Sequence, residues 1–260
     1  MSTTHTDTTD AATLDEICVA ALADAFLGDG EILCNAIGML PTCAARLARA
    51  TSEPALMLTD GVSLLVANTI RVGAPDSEKI VESYMPYRSI FDAVWSGRRH
   101  VVMGAAQIDR YGNQNLAAIG DWRKPKAQLL GLRGAPGNAA YNTISYWIPN
   151  HSANVFVEEV DVVCAPGYDR VATLPPSSQR AYELRRVVTN LGVFDFATDD
   201  HRMRVVSRHP GVTLEAIQRA TSFELAAEAD VPETRLPSDE ELRLLREVID
   251  PTGVRKGEFR

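Results

Sequence analysis

Residues 128–148 read QLLGLRGAPGNAAYNTISYWI: an apolar run, a glycine-rich turn and a second apolar run. Short apolar runs bounded by turn residues are the pattern of strands buried on both faces. This stretch therefore predicts a strand at 128–132, a turn over Gly134–Asn138 and a strand at 143–148. Working outward, comparable runs lie at 99–104 (RHVVMG), 154–164 (NVFVEEVDVVC) and 186–196 (RVVTNLGVFDF), and a shorter one, Ala55–Leu58, ends at Thr59-Asp60-Gly61. Some runs are apolar throughout and others alternate. The mixture predicts an α/β fold whose central sheet is mostly parallel, with an antiparallel section, flanked by helices.

The helices carry their own punctuation. Thr13 followed by Glu16 is a capping box, and Leu14, Ile17, Cys18, Ala21, Leu22 and Ala25 recur at helical spacing until Gly28 and Gly30. A second helix is predicted over about 42–51 and another from Thr213. A last one starts at Ser238, with Glu241 completing a capping box, and stops at Pro251. Residues 1–10, polar and Thr-rich, read as a disordered tail, and 11–260 as a single domain without repeats or a long linker.

Composition narrows the function classes. The 26 Lys+Arg against 34 Asp+Glu leave a net charge of −8, which opposes a general nucleic-acid binder, since phosphate neutralisation needs a basic face. The longest apolar runs, such as 61–70 (GVSLLVANTI), fall short of the ~20 residues of a spanning helix, so no membrane role is expected. The first residues show no basic segment leading into an apolar one, so no signal peptide is expected. Cys18, Cys34, Cys43 and Cys164 form no CxxC pair, and the five histidines show no ligand spacing. Free thiols in a cytoplasmic protein are expected, with no metal site.

Four segments hold candidate chemistry. Gly131, Gly134 and Gly137 recur every third position in GLRGAPGN, where glycine lets the backbone approach a ligand and expose N–H groups to an anion. The stretch is neither a Walker A loop nor GxGxxG; a tight strand connection is the alternative reading. Arg133 places a guanidinium inside it, suited to a carboxylate, phosphate or enolate oxygen. Asp60 stands at a strand end, where α/β proteins build sites, although Asp-Gly is also a common turn pair. In 104–113 (GAAQIDRYGN), Gln107 offers a side-chain donor to a cleft, while Asp109 and Asn113 suit a turn. The basic run Arg123-Lys124-Pro125-Lys126 suits a phosphorylated ligand or a solvated loop. No GxSxG elbow is present.

With LPTCAARLARAT, MLTDG, GAAQIDRYGNQN, GLRGAPGN, VFVEEVDVV, VTNLGVFDF and HPGVTLEAIQRATSFEL in this order, the chain resembles the β subunits of family I coenzyme A transferases from about residue 12 to 252. Within that family it is most similar to the branch of actinobacterial hydrolases that cleave a cholesterol-derived ring at the CoA-thioester stage. The resemblance implies an α/β CoA-transferase-like fold and an α2β2 heterotetramer with an α subunit, sharing a site between the two. It also implies an acyl-CoA substrate, with CoA as part of the substrate and no tightly bound cofactor. Transferases of the family carry a nucleophilic glutamate after the early strand, where this chain reads Leu58-Thr59-Asp60-Gly61. Asp60 is one methylene shorter, and a retreat of about 1 Å costs a nucleophile about a hundredfold.

The resemblance thus implies hydrolytic C–C cleavage of a cyclic β-keto acyl-CoA, with the base on the α subunit. Arg133 and Asp60 are the expected catalytic residues, Arg133 with the N–H groups near Gly134 and Ala135 stabilising an enolate and Asp60 orienting Arg133 or a water. Gly131, Gly134, Ala135, Gly137, Asn138 and Gln107 are the expected substrate or CoA contacts. The alternatives are a CoA transferase using Asp60 as acyl acceptor and a non-catalytic CoA-ester-binding subunit.

Overall fold

The computed structural model describes residues 11–259; the expected tail at 1–10 lies outside the described residues. The first half of the chain supplies α1 (Leu14–Asp24), β1 (Leu33–Ala36), α2 (Met39–Ala50), β2 (Met57–Thr59), β3 (Leu64–Val66), β4 (Val81–Tyr84), α3 (Tyr87–Val94) and β5 (Arg99–Met103). Two short hairpins follow, β6 (Gln107–Ile108) with β7 (Gln114–Asn115), and β8 (Ala118–Ile119) with β9 (Ala127–Gln128). Then come α4 (Ala135–Ala140), β10 (Thr143–Ile148), α5 (Tyr168–Val171), α6 (Pro176–Gln179), β11 (Glu183–Thr189), β12 (Gly192–Asp195), β13 (Arg204–Arg208), α7 (Leu214–Arg219), β14 (Ala226–Ala227) and α8 (Asp239–Arg243).

Ten strands form one sheet in the order β14-β13-β12-β11-β10-β5-β1-β2-β3-β4. The central β11, β10, β5, β1 and β2 are parallel. Antiparallel pairs flank them, β11–β12–β13 on one side and β2–β3–β4 on the other. Both faces are buried, and the pleat sorts the side chains. Val101, Met103, Ile144, Tyr146 and Val187 enter one core, whereas Val102, Trp147 and Val188 enter the other, against α1 and α2. The strands at 99–104 and 143–148 form where the sequence predicts them, and 186–196 forms two, β11 and β12.

Two predicted strands do not form. Of 128–132 only Gln128 pairs; Leu129 and Gly131 donate instead to the carbonyls of Ala117 and Leu116, and 131–133 close as a 3-10 turn. The segment 154–164 meets its neighbours through single bridges and side chains, because β5 and β11 already flank β10. The helix predicted at 42–51 starts at Met39, with Pro41 tolerated in its first turn. The N–H of Leu40 donates to Glu258 Oε2 at 3.0 Å, a cap delivered from the far end of the chain. The capping boxes at Thr13/Glu16 and Ser238/Glu241 both form. No described helix is long and apolar enough to cross a membrane.

Candidate active site

Parallel strands bring their carboxyl ends to one edge, the place where α/β sheets hold ligands. At the ends of β1 and β2 a cavity of about 370 Å³ opens, walled by Asn35–Gly38, by Thr42, Ala45 and Arg46 on one face of α2, and by Leu58–Gly61. Asp60 stands in this wall, at the edge where the sequence places it. Its Oδ1 accepts the backbone N–H groups of Val62 (2.9 Å), Ser63 (3.0 Å) and Leu64 (3.1 Å). Its Oδ2 accepts from Lys79 Nζ at 3.0 Å. Burial raises the Asp60 pKa, but these four donors outweigh it and bring the value down to about 2. Such a carboxylate is a weak base and a poor nucleophile. It holds the β2–β3 turn, and its cationic partner is Lys79, so the expected pairing with Arg133 does not form: the turn donors and Lys79 occupy both its oxygens.

Arg133 ends the 3-10 turn, exposed, in a shallow concavity with Trp122, Leu130 and Leu132, and it does not line the Asp60 cavity. It has no hydrogen-bond or ion-pair partner among the described residues. The glycine segment splits its duties. A Cβ on Gly131 would lie 2.2 Å from that of Leu116, so glycine there permits tight packing. The Gly134 N–H donates to Gly131 O at 3.2 Å, which removes it from the set of free anion donors. Ala135 is buried, and Gly137 lies under Val94. Asn138 Oδ1 accepts from Arg99 Nη1 at 3.1 Å, at the amino end of β5, the opposite edge from the cavity.

Gln107 differs from expectation as well. Its amide donates to Asp161 (3.0 Å) and accepts from Asn115 (2.7 Å) and the Asp161 N–H (3.0 Å). Buried and fully engaged, it positions loops and aims no donor into a cleft. Asp109 and Asn113 hold their turn, the Asp109 carboxylate accepting from the Tyr111 and Asn113 N–H groups.

One arrangement left no trace in the spacing. His100 Nδ1 lies 2.7 Å from Asp29 Oδ2, and Nε2 lies 2.9 Å from Ser145 Oγ. Burial lowers the His100 pKa, and the neutral ring donates to Asp29 and accepts from Ser145. The order is that of a nucleophilic triad, yet His100 and Ser145 are both 0% exposed, so no substrate reaches the hydroxyl. The four cysteines are buried as free thiols, with pKa values raised by burial, Cys43 to about 12. Cys34, which lines the cavity, is thus no nucleophile at neutral pH.

Comparison with known proteins adds a second line of evidence. The chain matches the coenzyme A transferase family over residues 18–220. It is 50% identical over 258 residues to the IpdB subunit of the cholesterol ring-cleaving hydrolase of Rhodococcus jostii (strain RHA1), covering 99% of each chain. The IpdB subunit of Mycobacterium tuberculosis (strain H37Rv) is 47% identical over 249 residues, covering 96% of this chain and 99% of that one. The crystal structure of Rhodococcus jostii RHA1 IpdAB superposes with a TM-score of 0.90 at 50% identity, over 96% of this chain and 99% of that one.

Proposed function

The chain belongs to the coenzyme A transferase family, and from that premise we propose that it is the β subunit of a hydrolase that opens a ring of a steroid-derived cyclic β-keto acyl-CoA. The observation that carries this reading is the commitment of Asp60: in Leu58-Thr59-Asp60-Gly61, the stretch that the resemblance sets against the transferases' nucleophile motif, the one carboxylate available is locked by four donors. A transferase needs that carboxylate free to form an anhydride. A hydrolase needs only a base for water and donors for the departing electron pair.

In the proposed reaction, water adds to the ring ketone. The adjacent ring C–C bond breaks, leaving a carboxylate at one end of the opened chain and the bond's electron pair as the thioester enolate at the other. Protonation of that enolate completes the product, which keeps its CoA. The base comes from the α subunit, because Asp60 is the one carboxylate walling the cavity and its pKa lies near 2. Arg133, exposed and unpaired, would meet enolate charge once the partner encloses it; a preorganised donor of this kind is worth ~10²–10³ in kcat. CoA is substrate handle, not cofactor, and its binding energy positions the ring. Trp122 is exposed, and the side chains of Arg123, Lys124 and Lys126 form no ion pair among the described residues, which favours this turn for the CoA phosphates.

The α subunit would cover the open end of the sheet. β4 is exposed along its whole length and α3 has no buried residue, while Ile80, Val81, Tyr84, Tyr87, Phe91 and Trp95 all stand in solvent. An exposed apolar edge of this size marks an interface. An α2β2 tetramer is the assembly proposed. Co-expression tests the shared site: the chain alone should open no ring, and the chain with its partner should. Turnover by the isolated chain would refute it. In the complex, Arg133→Ala should lower kcat about a hundredfold; an unaltered rate would take Arg133 out of the mechanism.

A further inference from the structure

Arg46 stands on α2 one turn beyond Thr42, so both side chains face the cavity at the ends of β1 and β2. Its guanidinium has no hydrogen-bond or ion-pair partner among the described residues, and Nη1 is buried with no acceptor in reach. Burial lowers its pKa, with no carboxylate opposing the shift. Other arginines taken from solvent have partners: Arg255 and Arg185 meet carboxylates, Arg49 a carbonyl, and Arg99 an amide, although Arg99 Nε is itself buried without an acceptor. The one carboxylate in the cavity wall, Asp60, is spent on Lys79 and the turn. The cavity therefore presents an uncompensated fork of N–H donors in a chain whose net charge is −8. An unpaired, half-buried guanidinium is costly, and a ligand that supplies the missing anion offsets that cost.

We infer that Arg46 binds a planar oxyanion of the acyl group, so that the substrate class is an acyl-CoA presenting such an oxyanion beyond its thioester carbonyl. This deepens the hydrolase reading and rests on it for the identity of the acyl group. Two sources share that chemistry: a carboxylate the substrate already carries, and an oxygen that gains charge as the ring opens. A guanidinium matches both because its paired N–H groups meet two oxygens or a charge-bearing oxygen and its neighbour. Asn35, Thr42 and Thr59, in the same wall, offer further polar contacts.

The test uses the chain assembled with its α subunit and the Arg46→Gln variant. The lone variant should melt at or above the wild-type temperature, since it loses a charge that nothing in the chain offsets. In the complex, a resident carboxylate predicts a KM raised tenfold or more with kcat little changed. An oxyanion formed during reaction predicts kcat lowered tenfold or more with KM little changed. Either result supports the inference, and added ethylguanidinium should restore part of the lost activity, which it would not do for a merely structural defect. Cyclohexanecarboxylate and its neutral amide, titrated into the complex without turnover, separate the inference from the hydrolase reading. Preferential, Arg46-dependent binding of the carboxylate by a complex that opens no ring would sink that reading and leave the oxyanion site standing. Kinetic constants within twofold of wild type would overturn the inference. So would a lower melting temperature of the lone variant, or an Arg46→Gln chain that no longer assembles, which would assign the guanidinium to a carboxylate of the partner.

Discussion

Asp60 accepts three backbone N–H groups and one ammonium, and that set of donors determines both its chemistry and its contribution to folding. Its folded pKa of about 2 lies below the ordinary carboxylate value. The ionised form is therefore favoured by folding, by about 2 kcal/mol. That contribution is present above about pH 4 and disappears as pH falls through the folded value. Asp60→Asn keeps the shape and loses the charge. Urea unfolding should show the variant less stable than wild type at pH 6, with the gap closing towards pH 2; a gap independent of pH would contradict the account. The Thr-Asp-Gly turn was legible in the sequence because turn chemistry is local. The choice of Lys79 over Arg133 as partner was not, since only the folded β2–β3–β4 ribbon brings residue 79 to residue 60. Arg46 escaped the sequence reading for a related reason: a lone arginine on an amphipathic helix carries no motif, and its meaning lies in the absence of a partner.

At the scale of elements, signals contained within one turn of helix or one strand were readable. The capping boxes at Thr13/Glu16 and Ser238/Glu241 and the apolar run of β10 formed as their residues dictate. The failures at 128–132 and 154–164 share a cause, because apolar periodicity reports that a segment is buried and not which neighbour its backbone bonds to. The start of α2 depends on Glu258, which accepts from the Leu40 N–H at 3.0 Å and from Trp147 Nε1 at 3.1 Å. Removing this cap with Glu258→Ala should cost about 1 kcal/mol, read as a lower urea midpoint at unchanged slope. An unchanged midpoint would show that the carboxylate does not hold the helix. Since α2 also carries Arg46 and walls the cavity, the C-terminal segment helps place the site.

Over the whole molecule, the parallel centre of the sheet, the burial of both its faces and the family were all readable from 260 residues, because the quoted segments keep their order along the chain. The division of labour at the site was not, because half of it is proposed to lie on another polypeptide. The exposed strand β4 and the unburied helix α3 leave one end of the sheet open, and the cavity at the ends of β1 and β2 contains no free base. These features fit the proposed subunit, which holds and stabilises while its partner activates water. The most direct measurement is turnover of a cyclic β-keto acyl-CoA by the assembled complex in ¹⁸O-water, with intact-mass analysis of this chain. The account predicts water-derived oxygen in the newly formed carboxylate, CoA retained on the ring-opened product and no adduct on the protein. CoA delivered to a separate carboxylic acid, with an acyl or CoA adduct on Asp60, would contradict it.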